Sequence, residues 1–242
     1  MTARAADNSG APAECTAIIV LDGLSKTFAG PPPVTALHPC NLTIRQGEYV
    51  AVTGASGSGK TTLLSLLGLL DTSTTGRYLL DGQDVATLSD AARSALRSHK
   101  IGFVFQAFHL VGYRTVLDNV QLGLVYQGVP KVQRYSRALD AVERVGLAHR
   151  RNSTCATLSG GEKQRVAIAR TFVREPKLVL CDEPTGNLDS ATSQQILELL
   201  HGFHMSGATI MVITHDRAVA DVAQRRLSIT DGVLSEPEHA SA

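Results

Sequence analysis

The sequence predicts an α/β fold built on a parallel sheet, with a β-rich opening third and an inserted helical lobe. The continuous apolar runs 178–180 and 209–214 indicate strands that are covered on both faces. A helical pattern lies between them, with aligned apolar residues at Ile196, Leu199, Leu200 and Phe203. Strands that alternate with helices favour a parallel core.

The opening third of the chain is predicted to contain short strands and a loop with one aromatic residue. The run 17–21 is a strand candidate, and Phe28 is expected in a loop after it. The run 42–44 is expected to pair with the strand 49–53. A further strand over 78–80 closes this β-rich part of the chain.

A glycine-rich loop joins the strand 49–53 to a helix predicted over 60–70. The loop fits G-x-x-x-x-G-K-[ST], and it reads Gly54, Ala55, Ser56, Gly57, Ser58, Gly59, Lys60 and Thr61. Its glycines allow backbone N–H groups to point at phosphate oxygens. Lys60 adds a positive charge near the β- and γ-phosphates, and Thr61 offers a hydroxyl to Mg²⁺. The loop therefore predicts a nucleotide site at a helix N-terminus.

The pattern becomes helical between residues 107 and 158. A strand predicted over 101–105 ends at Gln106, and Thr115 is expected to cap the first helix that follows. Apolar residues then recur at helical spacing as far as Gly146, which can end the run. We interpret 107–158 as a helical lobe inserted between two strands of the sheet.

Four polar residues lie where predicted strands end, namely Gln106, Asp182, Glu183 and His215. Ligands of open α/β sheets bind at that edge. Asp182 is the candidate for holding Mg²⁺, and Glu183, expected on the opposite side of the strand, can orient or deprotonate an attacking water. His215 is expected to contact the γ-phosphate. The alternatives are a solvent-facing acidic pair and a structural histidine.

A second glycine-containing helix start reads Leu158, Ser159, Gly160, Gly161 and Glu162. Ser159 and the glycines would present free N–H groups at the positive end of a helix, which predicts a second phosphate-binding surface. One γ-phosphate cannot easily use both surfaces from one subunit if they lie on different lobes. We therefore expect the surfaces to meet across a dimer, and an ordinary capped helix start is the alternative.

Composition narrows the classes of function. The 242 residues carry 23 Lys and Arg against 22 Asp and Glu, which argues against nucleic-acid binding through bulk charge. The cysteines form no C-x-x-C pair, so reduced thiols without a metal are expected at Cys15, Cys40, Cys155 and Cys181. No apolar run is long enough to span a membrane, and 1–16 is typical of a loose tail rather than a signal peptide.

Six motifs occur in one order: the phosphate loop Gly54–Thr62, Gln106, the signature 158–162, the strand 178–183, the D-loop 186–189 and His215. Together they resemble the nucleotide-binding subunits of ABC transporters. The resemblance implies an ABC-type P-loop ATPase core with a mixed sheet, an N-terminal antiparallel β subdomain and an inserted helical subdomain. It implies an ATP-binding domain over 17–235 between tails at 1–16 and 236–242.

The resemblance also implies roles for single residues. Phe28 matches the aromatic residue that stacks on adenine, and Thr62 belongs to the loop that binds ATP. Gln106 reaches Mg²⁺ and the attacking water, so that Thr61, Gln106 and Asp182 form the metal set. Glu183 matches the catalytic base, and His215 matches the γ-phosphate sensor.

The same resemblance places some residues at a subunit contact. Ser159, Gly160 and Gly161 would bind ATP held by the opposite subunit, and Asp189 would lie at the dimer contact. ATP and Mg²⁺ are the implied cofactors.

A narrower resemblance is to the MacB/LolD/FtsE-like group, on the segments 68–71, 183–189 and 214–216. It implies an ATPase at the cytoplasmic face of the bacterial inner membrane, whose dimer closure drives an FtsX/MacB-like permease in export, lipoprotein extraction or mechanotransmission. The segment 108–114 departs from the group because it lacks the proline expected near the partner's groove.

Other classes remain as alternatives to this reading. An amino-acid-type importer would use the same ATPase chemistry. A soluble ABC ATPase acting on chromosomes would need a long coiled coil between Lys60 and Ser159, which no heptad run supplies. A phosphate-loop kinase would leave the signature 158–162 without a purpose.

Overall fold

The computed structural model describes residues 16–236, which form two sheets and seven α-helices. The strands are β1 (Ala17–Phe28), β2 (Val34–Arg45), β3 (Tyr49–Thr53), β4 (Thr75–Leu80), β5 (Gln83–Asp84), β6 (Ile101–Phe105), β7 (Leu178–Asp182), β8 (Ile210–Thr214), β9 (Arg225–Thr230) and β10 (Val233–Ser235). The helices are α1 (Lys60–Leu67), α2 (Asp90–Lys100), α3 (Val116–Tyr126), α4 (Lys131–Arg144), α5 (Gly160–Phe172), α6 (Ser190–Met205) and α7 (Arg217–Asp221). Apart from Thr16 and Glu236, the predicted tails lie outside the described residues.

The larger sheet has the strand order β10-β9-β3-β8-β7-β6. All of its neighbouring strands are parallel except β10, which runs antiparallel to β9. This confirms the mixed sheet that the resemblance implied. Successive residues of β3 point to opposite faces, so that Tyr49 and Ala51 join one apolar cluster while Val50 and Val52 join the other. The core therefore lies on both faces of this sheet.

The smaller sheet is antiparallel, with the strand order β2-β1-β4-β5. The expectation that 42–44 pairs with β3 is wrong, because Leu42 and Ile44 pair with Leu21 and Ile19 of β1. Strand β3 already has β8 and β9 as neighbours, so both of its hydrogen-bonding edges are occupied. Apart from β3, the strands of the opening third thus form a separate sheet together with β5, as an antiparallel β subdomain requires.

Helix boundaries differ from the predicted ones where the chain turns. Helix α1 ends at Leu67 rather than at residue 70, and Leu70 is 51% exposed instead of sharing the buried face. The backbone of Leu69 has φ 56°, a left-handed value that cannot continue a helix. Thr115 caps α3 as predicted, with Asp118 completing a reciprocal capping box.

Helices α3 and α4 and two 3₁₀ turns follow β6 and precede α5, where the helical lobe was predicted. Buried residues of α3 and α4, such as Val120 and Val142, belong to the same apolar cluster as Val179 of β7. The bounds 107–158 remain a prediction, since this cluster runs continuously from the helices into the sheet.

Two further findings concern the cysteine thiols and the length of the helices. Cys40, Cys155 and Cys181 are free and buried, whereas Cys15 lies outside the described residues. Burial raises the pKa of the Cys40 thiol to about 11. Within residues 16–236, the helices are too short or too polar to cross a bilayer.

Candidate functional site

The loop between β3 and α1 is shaped by close backbone approaches. A Cβ added at Gly54 would lie 2.3 Å from the carbonyl oxygen of Ile229, and one at Gly59 would lie 2.5 Å from that of Ala36. Gly59 also has φ +109°, which side-chain-bearing residues rarely adopt. Ser58 is buried, and its hydroxyl has no hydrogen-bond partner among residues 16–236. The loop is thus a cradle that only glycine permits, with one unsatisfied polar atom inside it.

The start of α1 has no side-chain cap. The first N–H groups of any helix lack acceptors within it, and here no capping side chain supplies one. Lys60 Nζ donates to the carbonyl oxygens of Gly54 and Ala55, at 2.8 and 2.6 Å, so that the ammonium group lies over the loop. Thr61 is exposed in the first turn, and no described residue hydrogen-bonds its hydroxyl. Together these groups leave a positive helix end ready for an anion.

Strand register brings the polar strand-end residues to the same edge as this loop. Asp182 pairs with Phe105 of β6 and with Ile213 of β8, while Thr53 pairs with Thr214. Because these strands are parallel, the residues that follow them emerge at one edge of the sheet. Gln106, Glu183 and His215 therefore emerge at the same sheet edge as the phosphate loop, with His215 after the strand next to β3 and Gln106 after the strand farthest from it.

Asp182 is a half-buried carboxylate without a hydrogen bond from any residue in the range 16–236. Burial raises its pKa, and the neighbouring charge of Glu183 raises it further, while Lys60 acts in the opposite direction. A nearby cation would relieve this cost of burying a charge. The charge of Lys60 acts on the pKa of Asp182 although the two groups form no ion pair, so the loop ammonium lies near this carboxylate.

Glu183 lies just beyond β7, with φ 45°, and its carboxylate is bound on three sides. The hydroxyl of Thr214 donates to Oε2 at 3.2 Å, and the His215 N–H donates to Oε1 at 3.1 Å. His215 Nδ1 lies 2.7 Å from the same Oε1. The prediction assumed that strand alternation sets the direction of the Glu183 side chain. Glu183 lies outside β7 and has a left-handed backbone, so strand alternation does not apply to it.

Gln106 makes contacts that the sequence reasoning missed. Its side-chain Nε2 donates to Asn187 Oδ1 at 3.1 Å, and Asn187 Nδ2 donates to the Gln106 carbonyl oxygen at the same distance. Gly186 lies directly beneath the Gln106 amide. In the sequence Asn187 is marked only by its place in the D-loop 186–189, and no local spacing rule links residues that are 81 positions apart.

Ser159 caps α5 rather than offering a free N–H group. Its hydroxyl accepts from the Glu162 N–H at 3.2 Å, and its own N–H donates to Glu162 Oε2 at 2.9 Å. Arg150 Nε donates to the other oxygen of Glu162 at 3.0 Å. The prediction of a free Ser159 N–H is wrong, because the S-x-x-E spacing forms a capping box. Gly160 and Gly161 occupy the first turn that follows.

The remaining predicted residues lie on two other surfaces. Asp189 caps α6 by accepting from the Thr192 N–H at 3.0 Å, and these bonds hold the pKa of its carboxyl below the usual range. A Cβ at Gly161 would lie 2.3 Å from Thr192 Cγ2, so the starts of α5 and α6 are packed together.

Phe28 ends β1 instead of lying in a loop, and its 45% exposed ring has Lys26 Nζ 4.9 Å from its centroid.

A strand, a glycine loop and an uncapped helix start, with carboxylates at the same sheet edge, define a phosphate-loop nucleotide-binding protein. A family model described as ABC transporter matches residues 37–186, and the chain belongs to this family. It is an ATP-binding and ATP-hydrolysing subunit of an ABC transporter, which confirms the predicted family, ligand and activity.

The similar proteins include several that are named MacB, which confirms the predicted MacB-like resemblance. The chain is 46% identical over 218 residues to the uncharacterized ABC transporter ATP-binding protein YvrO of Bacillus subtilis, covering 90% of this chain and 95% of YvrO. It is 45% identical over 230 residues to the macrolide export ATP-binding/permease protein MacB of Brucella melitensis, covering 94% of this chain. The chain spans 35% of that MacB.

Solved structures carry the same fold. The dimeric structure of the bacterial ABC transporter cassette MJ0796 superposes with a TM-score of 0.81 at 38% identity, covering 90% of this chain and 98% of that one. A second structure, a dimeric post-hydrolysis state of the ATP-binding cassette MJ0796 bound to ADP and Pi, has a TM-score of 0.81 at 37% identity over the same share of both chains. The predicted ABC-type core is thereby confirmed.

Proposed function

We propose that the chain is the ATP-hydrolysing motor subunit of a transporter with an FtsX/MacB-like membrane partner. The observation that carries this proposal is the clustering of Lys60, Asp182, Glu183 and His215 at one sheet edge beside an uncapped helix start. The backbone N–H groups of Gly54 to Thr62 and the Lys60 ammonium would bind the phosphates. Phe28, exposed at the end of β1, would stack on adenine.

The residues fit a bound Mg²⁺. Thr61, Gln106 and Asp182 supply hard oxygen donors, and the described chain leaves the Thr61 hydroxyl and the Asp182 carboxylate without hydrogen bonds. We therefore assign these three residues as the metal set, directly or through water. When bound there, the ion would neutralise charge on the phosphates during transfer.

Glu183 is the residue that we assign to the attacking water. Its carboxylate is held by Thr214 and by the backbone N–H of His215, so it can orient the water or accept its proton without losing its own position. His215 is 71% exposed on its side chain, which leaves the ring accessible to a γ-phosphate. Gln106 would align the same water from the neighbouring strand end.

A second copy of the chain would complete the site through Ser159, Gly160 and Gly161. No hydrogen bond or ion pair of the described residues joins 159–162 to the phosphate loop of the same subunit. The dimeric cassettes among the similar structures support a sandwich of two ATP between two copies. Asp189, at the start of α6, would then lie at the dimer contact.

The membrane partner follows from relatives whose names join an ATP-binding part to a permease. The chain spans 35% of one such MacB and 95% of YvrO, and an FtsX/MacB-like permease is the partner that we assign to it. The motor would then act at the cytoplasmic face of the bacterial inner membrane. Dimer closure on ATP would move the permease, and reopening after hydrolysis would reset it.

Replacing the proposed base tests the chemistry. Glu183→Gln should bind ATP with the affinity of the unchanged protein but hydrolyse it at least about 100-fold more slowly. The matched control is Glu198→Gln, which alters an exposed carboxylate on α6 and should leave turnover unchanged. Turnover close to normal in Glu183→Gln would remove Glu183 from the mechanism.

Capturing the partner tests the transporter role. The tagged Glu183→Gln variant is purified with ATP from detergent-solubilised membranes, and the proteins that accompany it are identified. An FtsX/MacB-like permease is the expected companion. Recovery of a permease with a solute-binding protein would replace the proposal by an importer, and soluble companions alone would contradict the membrane role.

A further inference from the structure

Gln106 and Asn187 are joined by two reciprocal hydrogen bonds. The side-chain Nε2 of Gln106 donates to Asn187 Oδ1, and Asn187 Nδ2 donates to the backbone carbonyl oxygen of Gln106, each at 3.1 Å. Both residues are exposed, so the pair lies on the accessible side of the site. The Asn187 side-chain amide takes part in both bonds and therefore has little freedom to rotate.

The direction of each bond follows from a single fixed group. The Gln106 backbone carbonyl can only accept, so the Asn187 side chain must present its NH₂ group there. Its Oδ1 is then left to face the Gln106 side chain, which answers with Nε2. The Gln106 Oε1 atom is consequently the end of the amide that Asn187 does not use, and the described residues give it no hydrogen bond.

Gly186 holds the amide from a second direction. A Cβ added at Gly186 would lie 2.8 Å from Gln106 Nε2 and 3.1 Å from Cδ. The Gly186 backbone therefore lies close to the amide, and a larger residue at this position would force the amide to move. The Gly186 contact and the hydrogen bond from Nε2 to Asn187 Oδ1 together restrict the Gln106 side-chain amide, while the second bond holds the Asn187 side chain in place.

We propose that Asn187 is a positioning residue which selects the orientation of the Gln106 amide and so reserves its oxygen for the metal ion. The proposal rests on the proposed function, in which Gln106 belongs to the Mg²⁺ set. An amide nitrogen cannot ligate a cation, whereas its carbonyl oxygen can. Without Asn187 the amide is free to flip, and its oxygen faces the metal in only part of the population.

The test measures how much Mg²⁺ tightens ATP binding rather than how fast ATP is hydrolysed. ATP dissociation constants are determined with excess Mg²⁺ and with EDTA, on the Glu183→Gln protein so that the nucleotide stays intact. In Asn187→Ala, the gain in affinity caused by Mg²⁺ should fall about three- to tenfold, as expected for one lost hydrogen bond. Affinity in EDTA should stay unchanged.

Two further variants sharpen the result. Asn187→Asp keeps an oxygen that can accept from Gln106 Nε2 and loses only the donor to the Gln106 carbonyl, so its loss should be smaller than that of Asn187→Ala. The matched control is Asn41→Ala, which removes another exposed asparagine that hydrogen-bonds a backbone group, here the Gly23 N–H, far along the chain. It should leave both constants as they were.

The outcomes separate this inference from the proposed function. An unchanged Mg²⁺ effect in both Asn187 variants would overturn the inference, and so would an equal loss of affinity with and without Mg²⁺. Absence of ATP binding in the parent Glu183→Gln protein would instead overturn the proposed site itself.

Discussion

Two helix starts in this protein resemble each other in sequence but not in structure. Helix α1 begins after Gly59 without a side-chain cap, whereas α5 begins at Ser159 with a complete capping box. At α1 the nearest charged group, Lys60, lies over the loop. At α5 the nearest acceptor, Glu162, is already bonded to Ser159 and Arg150.

The difference separates a site that needs a ligand from a surface that is satisfied without one. The open N–H groups of α1 gain an acceptor when a phosphate arrives. The start of α5 is stable in a single subunit, and a phosphate from a second subunit must compete with the Glu162 carboxylate for the Ser159 N–H. We therefore expect changes at α1 to affect ATP binding and changes at α5 to affect stability.

The largest expected effect is the difference in stability between alanine variants of the two glycines at these helix starts, Gly59 and Gly160. In Gly59→Ala, a φ of +109° and a backbone oxygen 2.5 Å away should cost about 3 kcal/mol or more of unfolding free energy and abolish ATP binding. In Gly160→Ala, the nearest atom is Leu188 Cδ2 at 3.2 Å, so the cost should be small. Urea unfolding of both variants measures this difference, and equal losses would contradict the comparison.

The two cations should differ next. Lys60→Ala should weaken ATP binding by about 100-fold, because a charge-assisted contact to phosphate is lost, while stability changes little. Arg150→Ala removes a cation from the start of α5 and should leave ATP affinity within about twofold. Calorimetric titration of the monomer decides the matter, and a similar loss in both variants would mean that the starts are equivalent.

A smaller effect is expected for the cap itself. Ser159→Ala should lower the free energy of unfolding by about 1 kcal/mol, since the Glu162 N–H loses its acceptor. The control Ser190→Ala changes the first residue of α6, where Asp189 is the cap, and should be nearly neutral. If Ser159→Ala were as stable as the control, the capping box would contribute nothing.

The smallest effect should depend on pH. The Ser159 N–H, and then Arg150, hold the pKa of Glu162 below its ordinary value of 4.5. The lowered value means that the charged carboxylate stabilises the fold above pH 4.5, and that this stabilisation is lost as the pH falls through the folded pKa. Glu162→Gln should thus be less stable by at most about 1 kcal/mol at neutral pH.

The comparison between the two proteins across pH is the measurement. Chemical unfolding of the unchanged protein and Glu162→Gln should give stabilities that converge as the pH falls from 6 to 3, because the carboxylate of the unchanged protein becomes neutral. A difference that stays constant over this range would show that the charge of Glu162 plays no part.

Local spacing was enough to predict many of these features. The pattern from Gly54 to Thr61 predicted a strand, loop and helix in the right order, and Thr115 was correctly expected to cap α3. The S-x-x-E spacing at Ser159 predicts a capping box by the same rule, although the glycines beside it favoured a free anion site. Two local patterns overlap at this helix start, and the Ser159 N–H is used by the capping bonds with Glu162 instead of remaining free for an anion.

Contacts between distant segments could not be predicted in this way. The partner of 42–44 was wrong because several strands share the same apolar pattern, and only sheet assembly selects β1 over β3. The direction of Glu183 depends on a left-handed backbone turn at the end of β7, which its neighbours in sequence do not signal. Asn187 meets Gln106 only because β6 and β7 are adjacent.

The sequence by itself determined the phosphate loop, the strand-end residues and the family, because each depends on residue types at short, fixed spacings. Only the tertiary structure decided which strand pairs with β2, how Glu183 hydrogen-bonds to His215 and how Asn187 orients Gln106. The physical reason is that hydrogen-bond partners across a sheet edge are set by strand order and register, which depend on the packing of the whole core.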